Sequence, residues 1–446
     1  MLRFGIALTL LACSSAAQVR ADDWPQWMGP HRDGVWRESE IVDAFPSDGP
    51  PIRWRVKIGG GYAGPAVANG RVFVTDRQLK PGSEVPSDPF KRGAIPATER
   101  VLCLNESDGK EVWKHEYDCP YTVSYPAGPR CTPTVDDDRV YTLGAEGHLY
   151  CFKAATGEKV WSKELLKEFG LKSSPIWGFA AHPLVDGNKL ICLVGGEGTA
   201  VVAFDKLTGN ILWKVGDAVS AHGPGYCPPM IINHGGRRIL LAFHPEGLHA
   251  LDPETGKVIW FYEWEINNGL TVPMPRVVGD RIFLTTFYNG AKMLKLSDDG
   301  GSVSEVWARK GKSERNTDAI HSIMPTPWFD GDLIFGIDSY GELRGLDAKN
   351  GDRLWTTYEA TGGKSDRWAN AFLVKQGDRF FIPNEKGDLI IAKLDREGYH
   401  EIARTHLIEP TGSASQRKVV WSHPAFANKN IYLRNDEEIV SASLAR

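Results

Sequence analysis

Cysteine is scarce in this chain of 446 residues: there are seven, and no two are adjacent. No Cys-x-x-Cys-His stretch occurs, which excludes covalent attachment of a c-type haem. Charge of one sign is not in excess either, with 52 Lys and Arg against 56 Asp and Glu and a net charge of -4. The two signs are interspersed, so no basic surface for nucleic acid is expected. Residues 4–12 are apolar but too few to cross a bilayer, and no other run is long enough. Sustained amphipathic helix periodicity is also missing. What the chain does have is 47 Gly, 15 Trp and many short alternating stretches.

Six of the tryptophans, Trp113, Trp161, Trp213, Trp260, Trp307 and Trp355, recur every 47 to 52 residues. Several close one phrase, Asp205…Gly209…Trp213, Asp252…Gly256…Trp260 and Asp347…Gly351…Trp355. Asn105…Gly109…Trp113 and Lys153…Gly157…Trp161 keep the glycine-to-tryptophan spacing. A fixed period of this size marks one structural unit copied many times. Within a period, turn residues separate four short strands, for example 131–135, 139–143, 148–152 and 158–163. Four antiparallel strands per repeat predict an all-β propeller. The phrase glycine is expected to supply positive φ between the third and fourth strands. Its tryptophan should fill the gap between neighbouring sheets.

The seventh unit has Ile402 where tryptophan would fall, and only three strands follow it. Residues 52–58 resemble an outer strand and carry Trp54, so the amino-terminal strand is expected to complete the last blade. Closure of this kind removes exposed sheet edges. The count is then eight blades; seven blades and an irregular tail is the alternative.

The Asp-x-x-x-Gly-x-x-x-Trp phrase and its lead-ins Ala250-Leu251-Asp252 and Gly345-Leu346-Asp347 resemble the pyrroloquinoline quinone (PQQ) repeat. The resemblance covers about residues 50–446. That family includes quinoprotein alcohol dehydrogenases and the non-enzymatic BamB-type factor for outer-membrane barrel assembly. The opening Trp24-Pro25-Gln26-Trp27-Met28-Gly29-Pro30 is similar to that of many secreted PQQ-repeat proteins. It is expected to clasp the outside of a blade through Trp24 and Trp27. Quinoprotein alcohol dehydrogenases typically carry adjacent cysteines and hold Ca²⁺ with Glu, Asn and Asp. This chain has no Cys-Cys pair, and Glu164, Asp217 and Asp318 on its long loops match no such set.

Residues 1–21 read as a signal peptide with cleavage after Ala21, giving an extension at 22–50 and a propeller at 51–446. A lipobox-like Leu10-Leu11-Ala12-Cys13 offers lipid attachment at Cys13 as the minor reading. Either way the expected location is periplasmic or secreted, where disulfides are permitted. Cys119 and Cys131 flank one loop and are the candidate pair; six buried free thiols is the other reading. Cys103 and Cys151 lie on neighbouring sheets, too far apart to bond.

Strand direction alternates, so the turns between first and second strands share one face of the disc with those between third and fourth. The first-to-second turns are short. The opposite face carries long segments at 117–130, 164–181, 216–226, 309–323 and 409–419, plus an insertion at 77–99. Long loops on a rigid scaffold are where binding residues concentrate. The candidate rim is Tyr62, Arg130, His182, His222, Tyr226, His321, Trp368 and His423, a set suited to a planar anionic ligand, a sugar or a peptide. The same residues would equally cap strand ends. No metal site is expected. The reading favours a cell-envelope binding or scaffold module with a protein or peptide partner and no cofactor. The alternative is a PQQ- and Ca²⁺-dependent alcohol, polyvinyl-alcohol or sugar dehydrogenase.

Overall fold

A computed structural model of the protein describes residues 23–446 except 221 and 415. The expected signal peptide and Cys13 fall outside the described residues. Eight four-stranded antiparallel sheets form, plus one two-stranded hairpin at Gly412–Ala414 and Arg417–Val419. The eight-bladed propeller is therefore the observed fold. Blade 1 runs Ala66–Ala68, Arg71–Leu79, Ala97–Asn105 and Glu111–Asp118. Blades 2 to 7 follow in chain order. Blade 8 takes Ala425–Ala427, Asn430–Arg434 and Glu438–Ser443, and its fourth strand is Ile52–Lys57. First strands are shorter than the sequence suggests. In blade 2 pairing begins at Thr134, because Pro133 has no N–H and the Thr132 N–H is already given to His182 Nδ1 at 2.9 Å.

One bond repeats around the ring. The indole N–H of Trp113 donates to the Ala154 carbonyl of the next blade at 2.9 Å, and Trp161 does the same to Lys206 at 3.0 Å. Trp213, Trp260, Trp307 and Trp355 continue the series onto Pro253, Gly300, Ala348 and Asp395. Trp54 closes it by donating to Glu106 of blade 1 at 2.9 Å. Five of the seven rings lie against the glycine of the neighbouring turn: Gly109, Gly157, Gly209, Gly256 and Gly351 each face an indole. A Cβ on Gly157 would stand 2.6 Å from the Trp113 ring, and Gly157 has φ 73°. Glycine is thus required twice, for the turn and for the close approach.

Ile402 sits at the one junction where the series breaks. Blade 8 has no turn between its third and fourth strands, since the fourth comes from residues 52–57, so no docking site exists for an indole. The extension packs here instead. Ile41 bridges to Ala445, Val42 N–H donates to Leu444, and Arg379 pairs with Asp43 at 3.2 Å.

All six described cysteines are buried and free, so the expected Cys119–Cys131 bond is not made. Cys119 packs with Ile95, Tyr121 and Ala145, while Cys131 packs with Cys151, Phe179 and Cys192 in a separate cluster.

Candidate functional site

The first strands line the central channel. Their lead-ins approach from the long-loop face, and their ends run into the short turns. A cavity of about 420 Å³ occupies the long-loop half of this channel, and every blade contributes to its wall. Tyr62, Arg130, Ala180, Tyr226, Leu270, Ile323, Trp368 and Trp421 come from the eight lead-ins. Phe90 of the 77–99 insertion, Tyr125 and Trp177 add further rings from the long loops, and Phe287 and Tyr288 from the short turn between the second and third strands of blade 5.

The channel is blind. Residues 23–36 fill its short-turn half, inside the ring, which corrects the expected clasp on a blade's outer face. Trp24 exchanges both backbone bonds with Val67 of blade 1 at 2.9 Å, and Pro25 accepts from Val135 of blade 2 at 2.8 Å. Arg32 donates to the carbonyls of Pro183 at 2.9 Å, His182 at 3.1 Å and Pro229 at 3.3 Å, in blades 3 and 4. Arg276 of blade 5 reaches the Asp33 carbonyl, Lys375 of blade 7 pairs with Gly34 and Trp36, and Trp36 packs on Phe426 of blade 8. Burial draws the Arg32 pKa down to about 10, which leaves it charged near neutrality, with three carbonyls to disperse the charge. The segment presents Trp27 as the cavity floor. Its indole stacks on His182 and meets His423 edge-on, at centroid separations of 4.9 and 5.5 Å.

Six of the eight rim candidates line this cavity: Tyr62, Arg130, His182, Tyr226, Trp368 and His423. Arg130 is not free to hold an anion. Its Nε donates to Trp177, one Nη to Gly128, and the other to Ser124 and Tyr125, all backbone carbonyls. His182 accepts the Thr132 N–H, and Tyr226 bridges Trp177 N and the His222 carbonyl at 3.4 Å each. His321 and His222 lie off the wall. His321 is buried under Asp338, which accepts its N–H at 2.7 Å, and its Nδ1 meets the Phe287 carbonyl. His222 packs its Cβ against Gly269. Burial keeps the His182 pKa well below its usual range and brings His423 down to about 3, so both imidazoles are neutral. Their centroids are 6.2 Å apart although they lead into blades 3 and 8, and both rings pack on Trp27. Among the described residues no group of three or more His, Cys, Asp or Glu is arranged to hold a metal.

Tyr125 and Trp368 face each other edge-on at 6.0 Å, and both have left-handed backbones, φ 52° and 63°. Bulky residues rarely adopt this conformation, which costs about 1–3 kcal/mol each and persists where the surroundings impose it. Here the Tyr125 N–H donates to Pro89 and the Trp368 N–H to Ser339. The Arg367 guanidinium lies over the Trp368 ring at 4.5 Å. Glu385 is wholly buried and holds the adjoining hairpin, bonding Arg417 Nε at 2.8 Å and Trp421 Nε1 at 3.1 Å.

Sequence reasoning missed Trp27, Phe90, Tyr125, Trp177 and Trp421. Trp27 lies in a motif whose side of the ring no repeat fixes, and Phe90 lies inside the 77–99 insertion on the long-loop face.

The eight four-stranded blades and the repeated tryptophan-to-turn bond are those expected of a PQQ-repeat propeller. A family model described as "Outer membrane protein assembly factor BamB" matches residues 97–357, and the chain belongs to that family. It is 23% identical over 269 residues to BamB of Shewanella oneidensis, covering 58% of this chain and 65% of the relative. It is also 23% identical over 308 residues to the quinoprotein ethanol dehydrogenase of Pseudomonas aeruginosa, covering 60% of this chain and 45% of that enzyme. The chain thus spans less than two thirds of the length of these curated relatives. In fold it is similar to Moraxella catarrhalis BamB, with TM-score 0.52 and 15% identity over 82% of this chain and 97% of that one. The quinohemoprotein alcohol dehydrogenase of Comamonas testosteroni gives TM-score 0.62 and 14% identity, over 95% and 81% of the two chains.

Proposed function

We propose that this protein is a cell-envelope binding module that takes its partner on the long-loop face, with the ring-lined cavity as the anchor point. One observation carries the reading: the plug of residues 23–36 turns an open channel into a blind cavity floored by Trp27 and open only toward the long loops. Concave, apolar, largely preformed sites with a few polar groups are the usual form of binding sites. The family description and the BamB relatives support the envelope setting.

The relatives that are quinoprotein dehydrogenases raise PQQ as a second reading. PQQ is a planar tricarboxylate, held in such enzymes with Ca²⁺. The residues around this cavity do not fit it. The Arg130 guanidinium is committed to four carbonyls, Arg367 pairs with Glu314 at 2.6 Å, and most of the remaining wall is aromatic or aliphatic.

A photo-crosslinking amino acid placed at Phe90, which is 47% exposed, or at Lys257 on the short-turn face tests the reading in intact envelopes. Partner adducts should form from position 90 and not from 257. Adducts from 257 alone would contradict it.

A further inference from the structure

We propose that the partner segment is an extended peptide that sets a tyrosine side chain into the axial cavity and lays a lysine or arginine in the acidic groove beside it. This rests on the binding-module reading above. The groove, about 1330 Å³, lies between blades 8 and 1 and shares Tyr62, Phe90 and Tyr125 with the cavity as common walls. One occupant can therefore run through both.

Each end specifies its own chemistry. The cavity is walled by rings, which favours an aromatic side chain. His423 lines it, and its imidazole makes no hydrogen bond to any described residue, whereas His182 is already engaged by Thr132. Burial keeps His423 neutral, so it exchanges one hydrogen bond with an uncharged group. A phenol hydroxyl supplies that group at the tip of an aromatic ring.

The groove is lined by Asp88, Glu409, Asp436, Glu437 and Glu438, against Lys57 and Arg77. Arg77 is packed over the Tyr121 ring, Glu438 is paired with Arg55, and Glu409 lies 3.3 Å from His406 Nε2; Asp88, Glu409 and Glu437 are the exposed carboxylates of the groove. That balance attracts a cation. A peptide is favoured over a small molecule because, among the described residues, the hairpin strand Gly412–Ala414 has a strand partner on one side only, and Thr411 and Ser413 line the groove. A free strand edge recognises extended backbone.

The test uses the full chain and fluorescently labelled, end-capped heptapeptides of glycine and serine with one tyrosine flanked by two lysines. Anisotropy should show saturable binding at low salt. Binding should weaken at least tenfold when glutamates replace the peptide lysines, and equally for the Glu409→Lys/Glu437→Lys protein. The glutamate peptide should recover affinity on that variant. Replacing the peptide tyrosine by phenylalanine should cost several-fold on the natural protein and nothing on His423→Phe. Equal affinity for the lysine and glutamate peptides, or the same tyrosine preference on His423→Phe, overturns the proposal. So does absence of binding to folded protein; crosslinking from Phe90 then still decides the binding-face reading separately.

Discussion

The indole of Trp27 lies flat on the imidazole of His182, with centroids 4.9 Å and planes 11° apart. The two residues come from the amino-terminal segment and the third blade, so their contact joins the plug to the ring. Trp27→Ala should destabilise by roughly 3–5 kcal/mol, as for a buried tryptophan. Trp27→Phe, which keeps a ring on His182, should cost distinctly less in a denaturant titration. Equal, small losses would mean the plug does not pack as described.

Arg32→Ala should cost about 3 kcal/mol or more, because it leaves the carbonyls of His182 and Pro229 without their buried donor, while Pro183 keeps only the Thr134 hydroxyl. Lys257→Ala, on an exposed turn, should stay within about 0.5 kcal/mol. Equilibrium unfolding of the pair checks the contrast.

Closure depends on residues 52–57 pairing with 438–443. Deleting 23–58 removes the plug and the closing strand together, and should give aggregation or a large drop in melting temperature. A monomer with unchanged melting would contradict the closure.

Much of this was legible in the sequence, for a physical reason. The Trp-to-turn bond recurs with the repeat, so its period, its glycine and the missing eighth turn were all readable, and Ile52–Lys57 was the strand still without a partner. The cavity was legible only in part. Which lead-in residues face the axis follows from the blade pattern, but whether Arg130 is free depends on loop carbonyls brought together by folding. The position of Trp27 depends on contacts with seven blades, and nothing in residues 23–36 has a period to extrapolate.

The backbone conformation at the cavity mouth has its own signature. Trp368 sits at φ 63°, so Trp368→Gly should be more stable than Trp368→Ala by about 1 kcal/mol, since only glycine enters this region freely. The reverse order in thermal unfolding would remove the strain from the account.

Histidine burial predicts a pH dependence. His423, held down to about 3 in the folded protein, takes up a proton near 6.5 when unfolded. The unfolded state binds more protons between those values, so stability is fully present above 6.5 and declines as pH falls toward 3. Each such histidine contributes about 1.4 kcal/mol per pH unit in that window. Between pH 6.5 and 5 the His423→Phe protein should lose stability less steeply than the natural one; parallel curves would contradict neutral burial.

The central claim is that the cavity binds a partner segment and does not hold a calcium-bound quinone. Adding PQQ with Ca²⁺ to the purified protein and following absorbance, melting temperature and alcohol-dependent dye reduction tests it most directly. The account predicts no saturable spectral change, no thermal shift and no turnover above background. Saturable PQQ binding with turnover that Ca²⁺ chelation abolishes would contradict it.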